Sequence, residues 1–217
     1  MKSVLLIGMG KFGQTLGQTL LNMGVEVMIV DKSEDKITPL AQKYSDALIV
    51  NCMNEDNLRA LDIPSFDACV VAIGDDFQSS LEITSLLKDL GAKWIISRAT
   101  TDIQRKFLLR NGADEIVYPD LDIAEKLAVK INANKVYDYF ELDSEYSIFE
   151  IAAPESWVGK TLIELNPRKQ FGLNILTVKK CDAVVANMDA NYVFEKDDHI
   201  LVFGNTERIL SFANKKN

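Results

Sequence analysis

The run Ser3-Val4-Leu5-Leu6-Ile7-Gly8-Met9-Gly10-Lys11-Phe12-Gly13 decides the fold of this 217-residue chain. A mostly apolar stretch stops at one glycine, bends at a second and enters the amphipathic segment 12–22 past a third. A strand that turns without a Cβ into a helix aims free backbone N–H groups and the positive end of the helix dipole at one spot. That spot binds phosphate. The next apolar run, Val25-Glu26-Val27-Met28-Ile29-Val30, closes on Asp31, 18 residues past Gly13. A carboxylate there can accept both hydroxyls of a ribose. Glycines that merely pack helix on strand would leave the acid unexplained.

Outward from this motif, apolar runs alternate with helical patterns as far as Val117. Strands are expected over 3–7, 25–30, 46–50, 68–73, 94–97 and 115–117, and helices over 12–22, 34–43, 55–61, 77–90 and 102–111. The strands are continuous apolar segments, as when helices cover both faces of a parallel sheet. Gly24, Gly91 and Gly112 follow three of the helices, where a left-handed cap is wanted. The expected architecture is α/β, a doubly wound parallel sheet with its ligand at the C-terminal strand edge.

After Pro119 the pattern changes. Residues 120–133 read as a helix, followed by Val136-Tyr137-Asp138-Tyr139-Phe140. This apolar surplus either docks on a second copy of the chain or folds under the sheet. From Tyr146, short strands (147–152, 173–178, 183–186, 199–203), a short helix near 162–165 and a last helix over 206–213 argue a separate, small α+β domain. The expected division is 1–118 for nucleotide binding, 119–141 for crossover helices and dimerisation, and 142–217 for the C-terminal domain.

An apolar fraction of 47% is enough for real cores, while a net charge of −8 repels a nucleic-acid backbone over most of the surface. The terminal Lys215-Lys216 pair reads as a solvated tail, and nucleic acid is not expected as a partner. The apolar stretches fall well short of the ~20 residues of a membrane helix. The N-terminus enters a strand at once, leaving no room for a signal peptide. Cys52, Cys69 and Cys181 lie far apart without metal-ligand spacing, which fits a reducing, cytoplasmic compartment, with Cys69 a small core residue.

Ligand contacts should come from the C-terminal ends of the strands. Gly8 and Gly13 shape the turn; Gly10, Lys11 and Phe12 offer backbone N–H groups, and Lys11 adds positive charge. Asp31, with Lys32 beside it, should hold the ribose, and its charge disfavours a 2′-phosphate. Asn51-Cys52-Met53 offers an amide and a soft apolar surface for adenine, and Ala72-Ile73-Gly74 lets the ligand cross close to backbone. Arg98 pairs with phosphate or forms a surface ion pair. Asp120 and Asp122 either complement the dipole of the helix they open or, at Asp120, share a divalent cation with the phosphates or with a second copy.

Two motifs fail on context. Gly159-Lys160-Thr161 ends like a P-loop, but Pro154 stands where its first glycine belongs. Tyr192 and Lys196 have dehydrogenase spacing but lie in a strand-and-turn segment, and the single histidine, His199, opens a strand as a structural residue. No nucleophile–base pair gathers near the nucleotide edge, so the chain is not expected to be an enzyme. An NAD-dependent oxidoreductase on the same fold would need an acid or base beside the nicotinamide; a soluble nucleotide sensor is the other alternative.

The chain resembles the cytoplasmic gating subunits of Trk/Ktr-type potassium uptake systems, the RCK (regulator of potassium conductance) family. The resemblance rests on residues 7–13, Val30-Asp31, Val71-Ala72-Ile73-Gly74, Asn111-Gly112-Ala113-Asp114, Asp143-Ser144-Glu145-Tyr146-Ser147, residues 159–165 and Arg168. It implies a Rossmann-like RCK_N domain, a helical crossover that makes dimers, and an RCK_C domain. It further implies an octameric ring under a membrane potassium-translocating subunit, at the inner face of the membrane. Its ligands would be ATP, ADP or NAD(H), with a divalent cation (Mg or Ca) at Asp120. In several relatives the C-terminal domain binds cyclic di-AMP, and the matching positions here are Ile163, Arg168, Asn174 and Ile175. One departure is Lys11, where many relatives carry an arginine that reaches a γ-phosphate across the dimer. Lysine keeps the charge and loses the fork.

Overall fold

Leu5 and Ile7 of the first strand, β1 (Ser3–Ile7), point into one buried cluster, and Val4 and Leu6 into another on the opposite side. A strand buried on both faces must be apolar throughout, and this accounts for the continuous runs. The computed structural model describes residues 2–133, 135–180 and 183–214. Cys181 and Lys215-Lys216 lie outside the described residues. The chain divides into two compact units, Met1–Leu121 and Asp122–Asn217.

In the first unit β1 is followed by α1 (Lys11–Asn22), β2 (Glu26–Asp31), α2 (Glu34–Ile37), β3 (Asp46–Ile49) and α3 (Glu55–Arg59). Then come β4 (Ala68–Val71), α4 (Phe77–Asp89), β5 (Ile95–Arg98), α5 (Asp102–Arg110) and β6 (Glu115–Val117). The strands form one parallel sheet in the order β3-β2-β1-β4-β5-β6. The order reverses between β1 and β4, so a crevice opens above their C-terminal ends, the position where such sheets hold ligands. The doubly wound α/β reading holds. One element is shorter than expected: the helix read over 34–43 is regular only through Ile37. Pro39 has no N–H to continue the ladder, so although Thr38 keeps right-handed helical angles the chain goes on in turns.

The helix α6 (Pro119–Asn132) runs across the division between the units. None of its residues is buried, and Ile123, Leu127 and Ile131, one turn apart, are each more than half exposed. Among the described residues no helix is long and apolar enough to cross a membrane.

The segment 119–141 is not wholly helical. Val136–Glu141 is a strand, β7, paired antiparallel with β8 (Tyr146–Ala152). Its β-branched and aromatic residues suit a pleated surface, and a bulge between Val136 and Asp138 lets both Val136 and Tyr139 reach the core. The second unit adds α7 (Leu162–Leu165), α8 (Pro167–Phe171), β9 (Asn174–Lys180), β10 (Ala183–Val184), β11 (His199–Asn205) and α9 (Thr206–Ala213). Its sheet runs β10-β9-β11-β8-β7. Burial alternates along β8 and β11, as expected for an antiparallel sheet covered on one face. Beneath it, Trp157 packs against Phe171, Phe194 and Phe212 with ring centroids 5.2–6.0 Å apart.

Candidate nucleotide-binding site

The three glycines of the β1–α1 turn are there for three different reasons. Gly8 has φ +99°, a conformation that side-chain-bearing residues rarely adopt. Gly13 lets α1 approach the strand: a Cβ there would stand 2.1 Å from the Gly8 carbonyl oxygen. Gly10 is the opposite case. Its φ of −71° and ψ of −176° suit any residue, and a Cβ would meet nothing within 4 Å. The protein itself does not demand glycine at this position, and the space above it is open. Gly10 also caps α1 without any side-chain hydrogen bond, leaving the first-turn N–H groups to a ligand.

A cleft of about 490 Å³ opens at this turn, a size that suits a small-molecule site. Of the expected contacts, Gly8, Gly10, Lys11, Asp31, Lys32, Asn51, Cys52, Met53, Ala72, Ile73, Gly74 and Arg98 line it. Two do not. Gly13 is buried against the Gly8 carbonyl, and the Phe12 ring lies under the Arg98 guanidinium, 5.6 Å from its carbon. Gly13 and the Phe12 ring thus shape the cleft from behind its lining, while the Phe12 N–H stays in the first turn of α1.

Asp31 is 8% exposed and is already engaged by the protein. Its Oδ2 accepts the Met9 N–H at 2.7 Å and the Lys36 ammonium at 3.3 Å, and its Oδ1 accepts the Ser33 N–H at 2.9 Å. The acid therefore braces the glycine turn as well as facing the cleft. Lys32 pairs with Asp76, also in the cleft lining, at 3.7 Å. Asp76 caps α4, accepting the Ser79 hydroxyl at 2.6 Å and the Ser79 N–H at 3.0 Å. These bonds, the hydroxyl first, hold the Asp76 carboxyl below the usual carboxylate range, with Lys32 adding to the effect. The Ser79 hydroxyl also reaches Met53 Sδ at 3.0 Å.

Lys36, Asp75, Asp76 and Ser79 line the cleft and were not among the expected residues. The Asp76-x-x-Ser79 spacing at the start of a helix, just past a strand end, was the signal available for two of them.

At the far wall Cys52 is 3% exposed, and burial, with the Asp31 charge second, pushes its thiol up to about 12. Cys69 is fully buried and likewise pushed up to about 12 by burial. A thiol reacts as its thiolate. Iodoacetamide at pH 8 should therefore leave both unmodified in the folded protein and label them once it is unfolded, as peptide mass spectrometry would show. Labelling of Cys52 in the folded state would contradict its burial.

Arg98, at the end of β5, donates to Asp120 Oδ2 at 3.4 Å, and its Nε is buried without a partner. Gly74 leaves room for it, since a Cβ there would stand 2.8 Å from a guanidinium nitrogen. The two readings of Arg98 meet here: it faces the cleft and is ion-paired. Asp120 is its partner and offers one carboxylate. Among the described residues no three His, Cys, Asp or Glu side chains gather to hold a metal, so a cation there would need ligands from phosphates or a second copy.

In the second unit, Ile163, Arg168, Asn174 and Ile175 line one depression of about 410 Å³. The rejected motifs have structural roles. Thr161 makes a capping box with Glu164, and Tyr192 donates to the buried Asp198 at 2.8 Å. His199 Nδ1 lies 2.8 Å from Glu150 Oε1, with its ring stacked on Tyr137.

A doubly wound sheet with this turn, an acid at the end of β2 and a cleft of mixed charge above the reversal point define a domain of the Rossmann class. Residues 4–119 match the TrkA-N domain and residues 146–217 the TrkA-C domain. The chain is 37% identical over 214 residues to Ktr system potassium uptake protein C of Bacillus subtilis (strain 168), covering 99% of this chain and 97% of that one. The chain belongs to the TrkA-N/TrkA-C family. Its fold also matches the crystal structure of the GsuK RCK domain (TM-score 0.70, 15% identity), covering all of this chain and 48% of that one. The C-terminal domain of Kef from Shewanella denitrificans, in its AMP-bound form, matches with TM-score 0.52 and 27% identity over 60% of this chain and 79% of that one.

Proposed function

We propose that this chain is the cytoplasmic, nucleotide-binding gating subunit of a membrane potassium-translocating system, and not an enzyme. The observation that carries the nucleotide reading is Gly10, a glycine the fold does not need, at the floor of a cleft whose phosphate end holds Lys11 and Arg98. Support for the potassium role comes from the Ktr uptake proteins, which this chain matches nearly end to end. The ligand is an adenine nucleotide, ATP/ADP or NAD(H), its phosphates over Gly10 and its ribose on Asp31. Lys11, a point charge rather than a fork, makes a weak discriminator between ATP and ADP.

The exposed apolar stripe of α6 is the surface for homodimer formation, from which a ring, octameric by resemblance, assembles under the membrane subunit. The Ile163–Arg168–Asn174–Ile175 depression is the place for cyclic di-AMP, where an arginine beside apolar side chains suits a phosphate next to a purine. Gating follows from differential affinity. A nucleotide shifts the open–closed balance only as far as it binds one ring shape better than the other.

The test is potassium flux through the reconstituted membrane complex with ATP, with ADP and with neither. Flux should differ among the three for the wild type and become nucleotide-independent in Gly10→Ala, whose thermal midpoint stays that of the wild type. Equal flux in all three wild-type conditions would end the proposal.

A further inference from the structure

Asp31 has been treated as the residue that grips both ribose hydroxyls, yet most of its acceptor capacity is used within the chain. An ionised carboxylate has about four acceptor positions. The Met9 N–H and the Lys36 ammonium take Oδ2, and the Ser33 N–H takes one position on Oδ1. One position remains for two hydroxyls. Of the three donors, Lys36 is the one that can yield. Its bond is the longest at 3.3 Å, and its side chain is 47% exposed, against 7% for Asp31. Such partly exposed pairs are weak, whereas the Met9 bond is short, buried and fixed to the backbone. Its flexible stem lets Lys36 swing aside, while α2, anchored by the buried Ile37, keeps its ammonium in reach of Asp31.

We propose, resting on the nucleotide reading above, that Lys36 is the specificity-determining residue at the sugar end of the cleft. It holds the position on Asp31 that a second ribose hydroxyl needs, and its positive charge offsets the repulsion Asp31 would exert on a 2′-phosphate. The cleft therefore accepts adenine nucleotides whose ribose carries a 2′-phosphate, alongside those with a free hydroxyl. Lys32 also lines the cleft, but its contact is with Asp76 and not with the carboxylate that faces the sugar.

The experiment is calorimetric titration of the full chain with ADP and with adenosine 2′,5′-bisphosphate, using the wild type, Lys36→Met and Lys36→Arg. The wild type should bind the two ligands within about tenfold of each other, since Lys36 compensates one charge. In Lys36→Met the two affinities should move in opposite directions. The bisphosphate weakens about tenfold or more as its charged partner is lost, and ADP tightens roughly two- to fivefold as an acceptor on Asp31 is freed. Lys36→Arg should restore bisphosphate binding. Opposed changes cannot arise from a general loss of structure, which would weaken both ligands together. Parallel changes, no change, or a wild type that binds ADP but not the bisphosphate would overturn the assignment. A wild type that binds neither ligand would bring down the nucleotide reading itself, and this inference with it.

Discussion

Gly13→Ala is expected to destabilise the N-terminal unit by about 3 kcal/mol or more, the upper end of the usual cost of overpacking, and to abolish nucleotide binding. The added methyl would sit 2.1 Å from a backbone oxygen, that of Gly8. No side-chain rotation relieves such a contact, so α1 must lift from β1, and with it the N–H groups meant for phosphate. Gly8 cannot give way cheaply either. Its N–H is tied to the Val30 carbonyl at 2.8 Å, and its backbone passes close to Ala72 and Ile73. Urea unfolding followed by circular dichroism measures the effect as a lower midpoint. A wild-type midpoint would mean that the helix does not need this close approach. The contrast with Gly10→Ala, which alters binding and leaves the midpoint alone, separates packing from ligand contact within a single motif.

Asp31→Ala should produce two losses at once. Removing the carboxylate leaves the Met9 N–H buried without an acceptor, a cost of about 1–3 kcal/mol in stability. It also removes the ribose acceptor, which should weaken adenine-nucleotide affinity roughly tenfold or more. The affinity is read by calorimetry and the stability by thermal unfolding of the same sample. An unchanged affinity would take Asp31 out of the site. A lost affinity at unchanged stability would mean that Met9 finds another acceptor and that the acid serves the ligand alone. The Lys36 bond, by comparison, is a partly exposed ion pair and contributes little to stability.

Much of the first unit was legible because its signals are local. A strand buried on both faces has to be apolar throughout, and the β1–α1 turn is a run of six residues whose geometry depends on glycine. The distance to Asp31 follows from the length of one helix and one strand. Asp31 lines the cleft as expected, while its bonding was read incompletely. That Asp31 faces the cleft can be seen from its position at a strand end. That its oxygens already accept from Met9, Ser33 and Lys36 depends on how a loop folds back, which no spacing rule encodes. Asp76 and Ser79, the cap and first turn of α4, carried a capping signal in the sequence, but that the start of this helix lines the cleft depends on how the chain folds past β4.

The other differences have separate causes. The helix over 34–43 was read from its periodicity, against the local veto of Pro39. The stretch 136–141 carried a fair strand signal in Val136, Tyr137, Tyr139 and Phe140, but a strand needs a partner, and pairing with β8 is a tertiary fact. Phe12 was assigned a backbone role; its ring supports Arg98, a contact made only when β5 and α1 meet in space.

One consequence follows from α6. Its 14 residues span about 21 Å, and none is buried within its own chain. A lone helix of that length is marginal in water; within the chain it is held by Val129, which packs on the second core, and in the proposed dimer also by whatever covers Ile123, Leu127 and Ile131. In the proposed dimer, melting of this stretch is coupled to dissociation, and its resistance to unravelling grows with protein concentration, as for any structure completed by a second molecule. Dilution alone, without heat or denaturant, should then loosen it.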